Sequence, residues 1–407
     1  MSFYGRRLYS HQRGIILEIK ICYALGPESY GGIETHIVQI SKHFVEAGHS
    51  VEYICAASPT NPKYEDLDGI KITRLGNKSV RKSFRAGYLS PKIQFLYIPR
   101  LFQKILLSTK KSDVDVINSH TLSINLGSGT ASRLKGIPNI LTNHGTYYEI
   151  WAEMKGKFGS LLKWYEKLTV KYTHYDVMAC TDAITADLAL KWGIESDRLD
   201  VIPNGVDLER FHPNNTSEIK KELDIEECPV ILSPRRLVPK NGIEFLIRSA
   251  PGILKSVPNA KILIIGDGPQ RTYLESLSKL LKVQESVLFL GSKKREEMPS
   301  YFAAADVIVL PSLAEATSIV ALESFAAGKP VVATEVGGLP EIVDSYVGAV
   351  VRAKSIFQLA DSISMLLNDP QKAKKLGLNA RTYVENYHSW KKVSAHYLEL
   401  FEKVSHH

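Results

Sequence analysis

The feature that most restricts the folds open to this chain is a twice-repeated alternation of short apolar runs with longer segments of helical period. In the first series the runs are EIKICYAL, SVEYICAAS, VDVINSH, NILTNHG, DVMACT and LDVIPNGVD, with helices predicted over 32–47, from about 124, around 159–174 and over 182–192. In the second they are PVILSPRR, AKILIIGDG, SVLFLGS, ADVIVLPS, PVVATEVGG and GAVV, with helices over 242–255, 269–282, 296–304 and 318–327. Strands alternating with helices specify parallel sheet covered on both faces. At 407 residues the chain exceeds a single core. The expected fold is therefore α/β, with two doubly wound domains whose ligands bind beyond the strand ends. The expected division is an arm over 1–14, a first domain over 15–205, a second over 206–387, and a terminal helix, SWKKVSAHYLELFEKV, within 388–407 that is free to return to the first domain. The turn-forming residues of IPNGVDLERFHPNN supply the linker.

Composition narrows the function classes. With 44% hydrophobic and 23% charged residues, the chain is an ordinary globular protein. Its net charge of +8 is uneven: Lys78, Arg81, Lys82, Arg85, Lys92, Arg100, Lys104, Lys110 and Lys111 occur between 78 and 112 without an acidic residue. That field suits either a solvated helical face or an anionic surface or acceptor. No helix-turn-helix, finger or aromatic platform accompanies it, so nucleic acid is not an expected partner. Cys22, Cys55, Cys180 and Cys228 stand singly, with no CxxC and no histidine at zinc spacing, and read as buried thiols of a reducing cytosol. No run approaches the ~20 apolar residues that span a bilayer, so a cytoplasmic protein is expected, touching a membrane only peripherally at its inner face. The triplets Asp66-Leu67-Asp68 and Asp113-Val114-Asp115 read as turn and strand-entry residues, and neither a metal nor a cofactor is expected.

Several motifs lie where strands meet helices. In GPESYGGIETH, Gly31 and Gly32 open a helix whose unblocked N–H groups suit an anion, although a loop needing positive φ explains them equally. There is no GxxxxGK[ST], and GSGTAS at 127–132 does not follow the first strand, so the usual phosphate fingerprints are missing. SPRRLVPKNG sets Arg235, Arg236 and Lys240 just beyond a buried strand, where guanidinium and ammonium suit a pyrophosphate; a solvated loop is the alternative. Gly266 in GDGP allows close backbone approach to a ligand, or simply makes a turn. In EATSIVALESFAAGKP a helix beginning near Thr317 or Ser318 offers the N–H groups of Thr317, Ser318 and Ile319 to a phosphate. Glu315 then lies before the helix and Glu323 roughly 8 Å along its axis. Acceptor-only carboxylates flanking a phosphate suit hydroxyls, one set on a sugar and one on a ribose.

Together with VDVINSH, TNHGTYYE, VIPNGVDLERFHP and the block VLPS…E…E…GKPVVAT…GG, these motifs resemble those of glycosyltransferase family 4, the glycosyl transferases group 1, over residues 15–404. The resemblance implies the GT-B fold, two Rossmann-like domains facing each other across a cleft. It further implies a retaining, hexosyltransferase-type transfer from a nucleoside diphosphate sugar to an acceptor hydroxyl, without an essential metal. By the same resemblance, Glu323 holds the ribose hydroxyls and Glu315 lies at the donor sugar. Arg236 and Lys240 neutralise the pyrophosphate, Gly31 and Gly32 approach it from the other domain, and His144 lies beside the reacting sugar. The expected catalytic set is thus His144, Arg236, Lys240 and Glu315. The donor-binding set is Gly31, Gly32, Arg235, Gly266, Thr317, Ser318, Ile319 and Glu323. The chain departs from the pattern at Ala316-Thr317, where Gly and Phe are usual, at Asn241, where Lys is usual, and in the extension over 1–14.

On the acceptor side, LSPKIQFLYIPRLFQKILL and WAEMKGKFGSLLKWYEKL interleave aromatics and aliphatics with cations, as an interface-lying helix does and as core packing also would. A lipid-linked or cell-envelope acceptor, with peripheral contact to an anionic membrane, is the expectation. A nucleotide-sugar epimerase of the same fold and a catalytically silent glycosyltransferase-like partner subunit are the alternatives.

Overall fold

The structure, a computed structural model, describes residues 16–28, 31–57, 61–76, 91–145, 159–315 and 318–406. The arm over 1–14, Thr317, and Lys78, Arg81, Lys82 and Arg85 of the basic run lie outside them.

The first half runs β1 (Glu18–Cys22), α1 (Gly32–Glu46), β2 (Ser50–Ala56), β3 (Tyr64–Leu67), β4 (Ile70–Leu75), α2 (Pro91–Ser108), β5 (Val116–His120), α3 (Leu122–Lys135), β6 (Asn139–Asn143), α4 (Gly159–Tyr172), β7 (Val177–Cys180), α5 (Ala183–Lys191) and β8 (Leu199–Val201). Its strands form one sheet in the order β3-β4-β2-β1-β5-β6-β7-β8, parallel except for the β3–β4 hairpin. Every residue of β5 and β6 is buried, as parallel strands covered on both faces must be. The hairpin is absent from the strand pattern of the sequence because β3 alternates exposed with half-buried residues. Asp68 (φ 53°) and Gly69 (φ 85°) make its turn, and Asp66 Oδ1 accepts from the Gly69 amide at 2.9 Å. Asp115 Oδ2 accepts from the Glu18 amide at 2.7 Å at the entry to the sheet, so the aspartate triplets do structural work.

The second half runs α6 (Ile219–Glu222), β9 (Val230–Pro234), α7 (Ile243–Ser256), β10 (Lys261–Ile265), α8 (Arg271–Leu280), β11 (Val287–Gly291), α9 (Met298–Ala304), β12 (Val307–Leu310), α10 (Ile319–Ala326), β13 (Val331–Thr334), α11 (Leu339–Ile342), β14 (Gly348–Val351), α12 (Ile356–Asn368), α13 (Pro370–Tyr387) and α14 (Trp390–Ser405). The sheet order is β11-β10-β9-β12-β13-β14, all parallel. Strand order reverses between β1 and β5 in the first sheet and between β9 and β12 in the second. Ligands of doubly wound sheets bind at such reversals, outside the carboxyl ends of the strands.

Helix α14 crosses back to the first domain. Trp390, Val393, Tyr397, Leu400, Phe401 and Val404 recur at helical spacing and join the core built on β1, β2 and α1. Phe401 meets Phe44 of α1 edge-on, with ring centroids 5.5 Å apart. The crossing is pinned by a bridge between Val206 and Ser389 and by the Val206 amide donating to His388 O at 2.7 Å. Gly205 is required there, since a Cβ would lie 2.5 Å from the Trp390 ring.

Helix α2 bears on the two readings of its sequence. Tyr97, Leu101 and Ile105 form a buried stripe, and the Tyr97 hydroxyl donates to Tyr23 O and Ile54 O, both at 2.9 Å. This stripe packs on the core, the alternative to an interface-lying helix, while Leu96 and Leu107 stay exposed. Lys104 reaches Glu52 at 3.9 Å rather than standing in an open field. Cys22, Cys55 and Cys180 are buried and their thiols are pushed up by burial, whereas Cys228 is only half-buried. Among the described residues no helix is long and apolar enough to cross a membrane.

Candidate active site

The two strand-order reversals face one another. Gly31, extended at φ −127° and ψ 170°, precedes α1 without a side-chain cap, and Ser318 caps α10 by accepting the Ala321 amide at 3.4 Å. A Cβ on Gly32 would lie 3.4 Å from Ile319 Cδ1, so the first turns of α1 and α10 touch across the cleft. Two helix N-termini, each a positive dipole end, thereby converge on one crevice. The space over Gly31 is already occupied by the Glu34 carboxylate, which closes on its own helix start. Glu34 is buried, and burial pushes its pKa up to about 7 against the opposing pull of its backbone hydrogen bond and of Arg236 from the other domain.

Beyond β9 and β12 the cations divide. Arg235 is ion-paired with Glu315 and also donates to Ser312 Oγ at 2.9 Å and Asn241 Oδ1 at 3.1 Å, while Ser312 donates to Glu315 at 3.3 Å. The charge assigned to a pyrophosphate is therefore partly spent on Glu315, and the carboxylate assigned to a sugar is braced by Arg235. The guanidinium Nε is buried without an acceptor. Asn241, standing where Lys is usual, fastens this loop instead: its Nδ2 donates to Arg236 O at 2.8 Å. Arg236 is exposed and Lys240 half-buried, and the Lys240 carbonyl accepts from the Leu313 amide at 2.7 Å, so the segment bearing both adjoins the loop carrying Glu315. Gly266, at φ 137°, packs against the backbone of Arg235 and Arg236 where a Cβ would collide. Its glycine character is explained by that approach and needs no ligand.

Glu323, in the second turn of α10, is half-buried and pushed up to about 7 by burial, with Arg295 and then Arg210 pulling the other way. Neither arginine is signalled by the sequence, because both lie in irregular segments far from residue 323 in the chain.

On the first domain, β5 and β6 deliver His120 and His144 to the same end of the sheet, and α1 adds His36. His120 Nδ1 and His144 Nε2 are 2.8 Å apart, and His36 Nδ1 is 2.8 Å from Asn204 Oδ1. Burial lowers the pKa of His36 to about 4 and of the other two well below the usual range, so all three are neutral at pH 7. Their nitrogens lie within 4.8 Å of one another, near enough to be weighed as a metal site. Two of the three are spent on each other, which leaves the set an incomplete match for a cation. Glu341 joins the domains by accepting from the Ala183 and Ile184 amides at 3.1 and 3.0 Å.

Two doubly wound Rossmann-like domains facing each other across such a cleft are the GT-B fold. The chain matches the Glycosyltransferase Family 4 domain over residues 30–210 and the Glycosyl transferases group 1 domain over 215–383. It is 31% identical over 277 residues, 65% of this chain and 70% of the other, to a GDP-mannose-dependent monoacylated alpha-(1-6)-phosphatidylinositol monomannoside mannosyltransferase of Corynebacterium glutamicum. It is 28% identical over 388 residues, 92% of this chain and 95% of the other, to an uncharacterized glycosyltransferase of Methanocaldococcus jannaschii. The sucrose-phosphate synthase of Thermosynechococcus elongatus shares the fold at TM-score 0.82 and 22% identity, covering 95% of this chain and 98% of that one. This chain belongs to the GT-B glycosyltransferases, family 4.

Proposed function

We propose that the protein transfers a hexose from a nucleoside diphosphate sugar to an acceptor hydroxyl with retention of configuration. The observation that carries this reading is the contact of Gly32 with Ile319, which sets two helix N-termini on one crevice beside Arg236 and Lys240. A dianionic diphosphate fits that field, and fixed positive charge can stabilise it as it leaves without a metal ion. Glu315, braced by Arg235, accepts from donor-sugar hydroxyls, and Glu323 accepts from the ribose. Gly31, Gly32, Ser318 and Ile319 supply backbone contacts, and His144 stands at the sugar on the acceptor side. The cation pair Arg236 and Lys240 takes the pyrophosphate.

The acceptor we infer is lipid-linked or part of a cell-envelope glycan, reached from the inner face of an anionic membrane. Helix α4 supports this: Leu161, Trp164, Tyr165 and Tyr172 are exposed on it beside Lys167 and Lys171, an amphipathic pattern suited to a headgroup layer. The name of the corynebacterial relative, a phosphatidylinositol monomannoside mannosyltransferase, agrees with a lipid acceptor. Calorimetry with UDP, GDP and ADP and their sugars, followed by NMR of the product anomer, tests the reading. One diphosphate should bind and its sugar should turn over with its anomeric configuration kept. Inversion, or donor consumed without an acceptor product, overturns it.

A further inference from the structure

The histidine cluster carries more than the placement of His144. Asn118, within β5, donates from Nδ2 to Ile140 O at 3.2 Å and to Thr142 Oγ1 at 2.9 Å. A carboxamide turned the other way would set its oxygen against a carbonyl, so Oδ1 must face His120 Nε2, 2.8 Å away. An oxygen facing Nε2 requires a hydrogen on Nε2. His120 is neutral, so its Nδ1 is then a lone pair, and the 2.8 Å contact with His144 Nε2 can only be donated from His144. His144 is neutral in turn, and its hydrogen is committed inward on Nε2. Of the three imidazoles His144 alone keeps partial exposure, and its Nδ1 is left as a bare acceptor.

We propose that Asn118 and His120 are positioning residues that lock His144 into the Nε2–H tautomer, so that its Nδ1 accepts a hydrogen bond from a hydroxyl of the sugar in the crevice. This rests on the glycosyltransfer reading for the identity of that hydroxyl, but the tautomer itself does not. The chain Asn118–His120–His144 makes His144 an acceptor only, unable to donate a proton from the nitrogen it presents. It also fixes the ring: the planes of His120 and His144 are inclined by 23° with centroids 5.1 Å apart. Nitrogen shifts of a protein labelled with 15N-histidine, with His144 assigned from its own substitution, read the tautomer directly. The wild type should show a protonated-type Nε2 and a bare Nδ1 at residue 144 across pH 6 to 8. His120→Asn keeps an acceptor where Nδ1 stood, whereas His120→Phe keeps the ring and removes it. In His120→Phe the His144 tautomers should mix and kcat should fall about tenfold to a hundredfold, the loss typical of an outer partner that orients a working imidazole. The donor KM should change little, and His120→Asn should recover most of the rate. A bare Nε2 at His144 in the wild type overturns the proposal, as does an unchanged tautomer or rate in a folded His120→Phe. If no donor is turned over at all, the nitrogen shifts still decide the tautomer, and only the glycosyltransfer reading fails.

Discussion

Arg235 and Glu315 are ion-paired beyond the carboxyl ends of the neighbouring strands β9 and β12, with both side chains largely out of solvent. Eighty residues apart in the chain, they join the cation expected at a diphosphate to the carboxylate expected at a sugar. Removing one partner leaves the other buried and unmatched, which costs more than the pair itself is worth. Arg235→Ala should lower unfolding stability by about 3 kcal/mol, and the double variant Arg235→Ala with Glu315→Ala should recover part of it. Urea unfolding of the three variants checks this; additive losses would show that the residues act separately.

Glu34 gives stability a pH dependence of known sign. Its folded pKa, about 7, lies above the ordinary 4.5, so the native state holds the proton more tightly. The stabilisation that follows is complete below pH 4.5 and lost as pH rises through 7. Glu34→Gln should therefore stabilise the protein by roughly 2–3 kcal/mol at pH 8 and leave it nearly unchanged at pH 4.5. Equal effects at the two values would contradict a buried carboxyl.

Glu323 should make donor binding depend on pH. Ribose hydroxyls bond best to the ionised carboxylate, so with a pKa near 7 affinity should tighten from pH 6 to pH 8. Calorimetry in the Glu34→Gln background removes the second group titrating there. Glu323→Gln should weaken the donor by about tenfold to a hundredfold, the worth of a hydrogen bond to a charged acceptor, and flatten the pH slope.

The exposed face of α4 should bind anionic vesicles. Wild-type protein is expected to float with phosphatidylglycerol vesicles and not with phosphatidylcholine ones, and the Trp164→Glu variant should lose most of that fraction. Wild type remaining wholly in the soluble fraction would leave α4 without its proposed role.

Much of the fold was legible because parallel strands buried on both faces are mostly apolar, as VILSP in β9 and VIVL in β12 are. The boundaries of α1 and α10 were readable from Gly31 and Ser318, which stand as their N-caps. What escaped was set by partners distant in sequence. Arg235 reads as a free cation until Glu315 is folded against it. Gly266 reads as a ligand contact until Arg235 packs over it. Arg295 and Arg210 carry no mark of lying near Glu323. His36, His120 and His144 show no spacing that unites them, because three different elements bring them together. The stripe of Tyr97, Leu101 and Ile105 on α2 has the same period whether it meets lipid or core, and only the fold shows that it meets core.

The return of α14 makes the first domain discontinuous in sequence. A fragment ending at the interdomain turn lacks Trp390, Tyr397 and Phe401, and leaves Phe44 and its neighbours on α1 facing water. Such a fragment should aggregate when expressed alone and become soluble when the last sixteen-residue helix is supplied in trans or spliced back by a linker. The helix that follows the second domain in the chain thus completes the core of the first, so that the first lobe cannot mature before the second has been made.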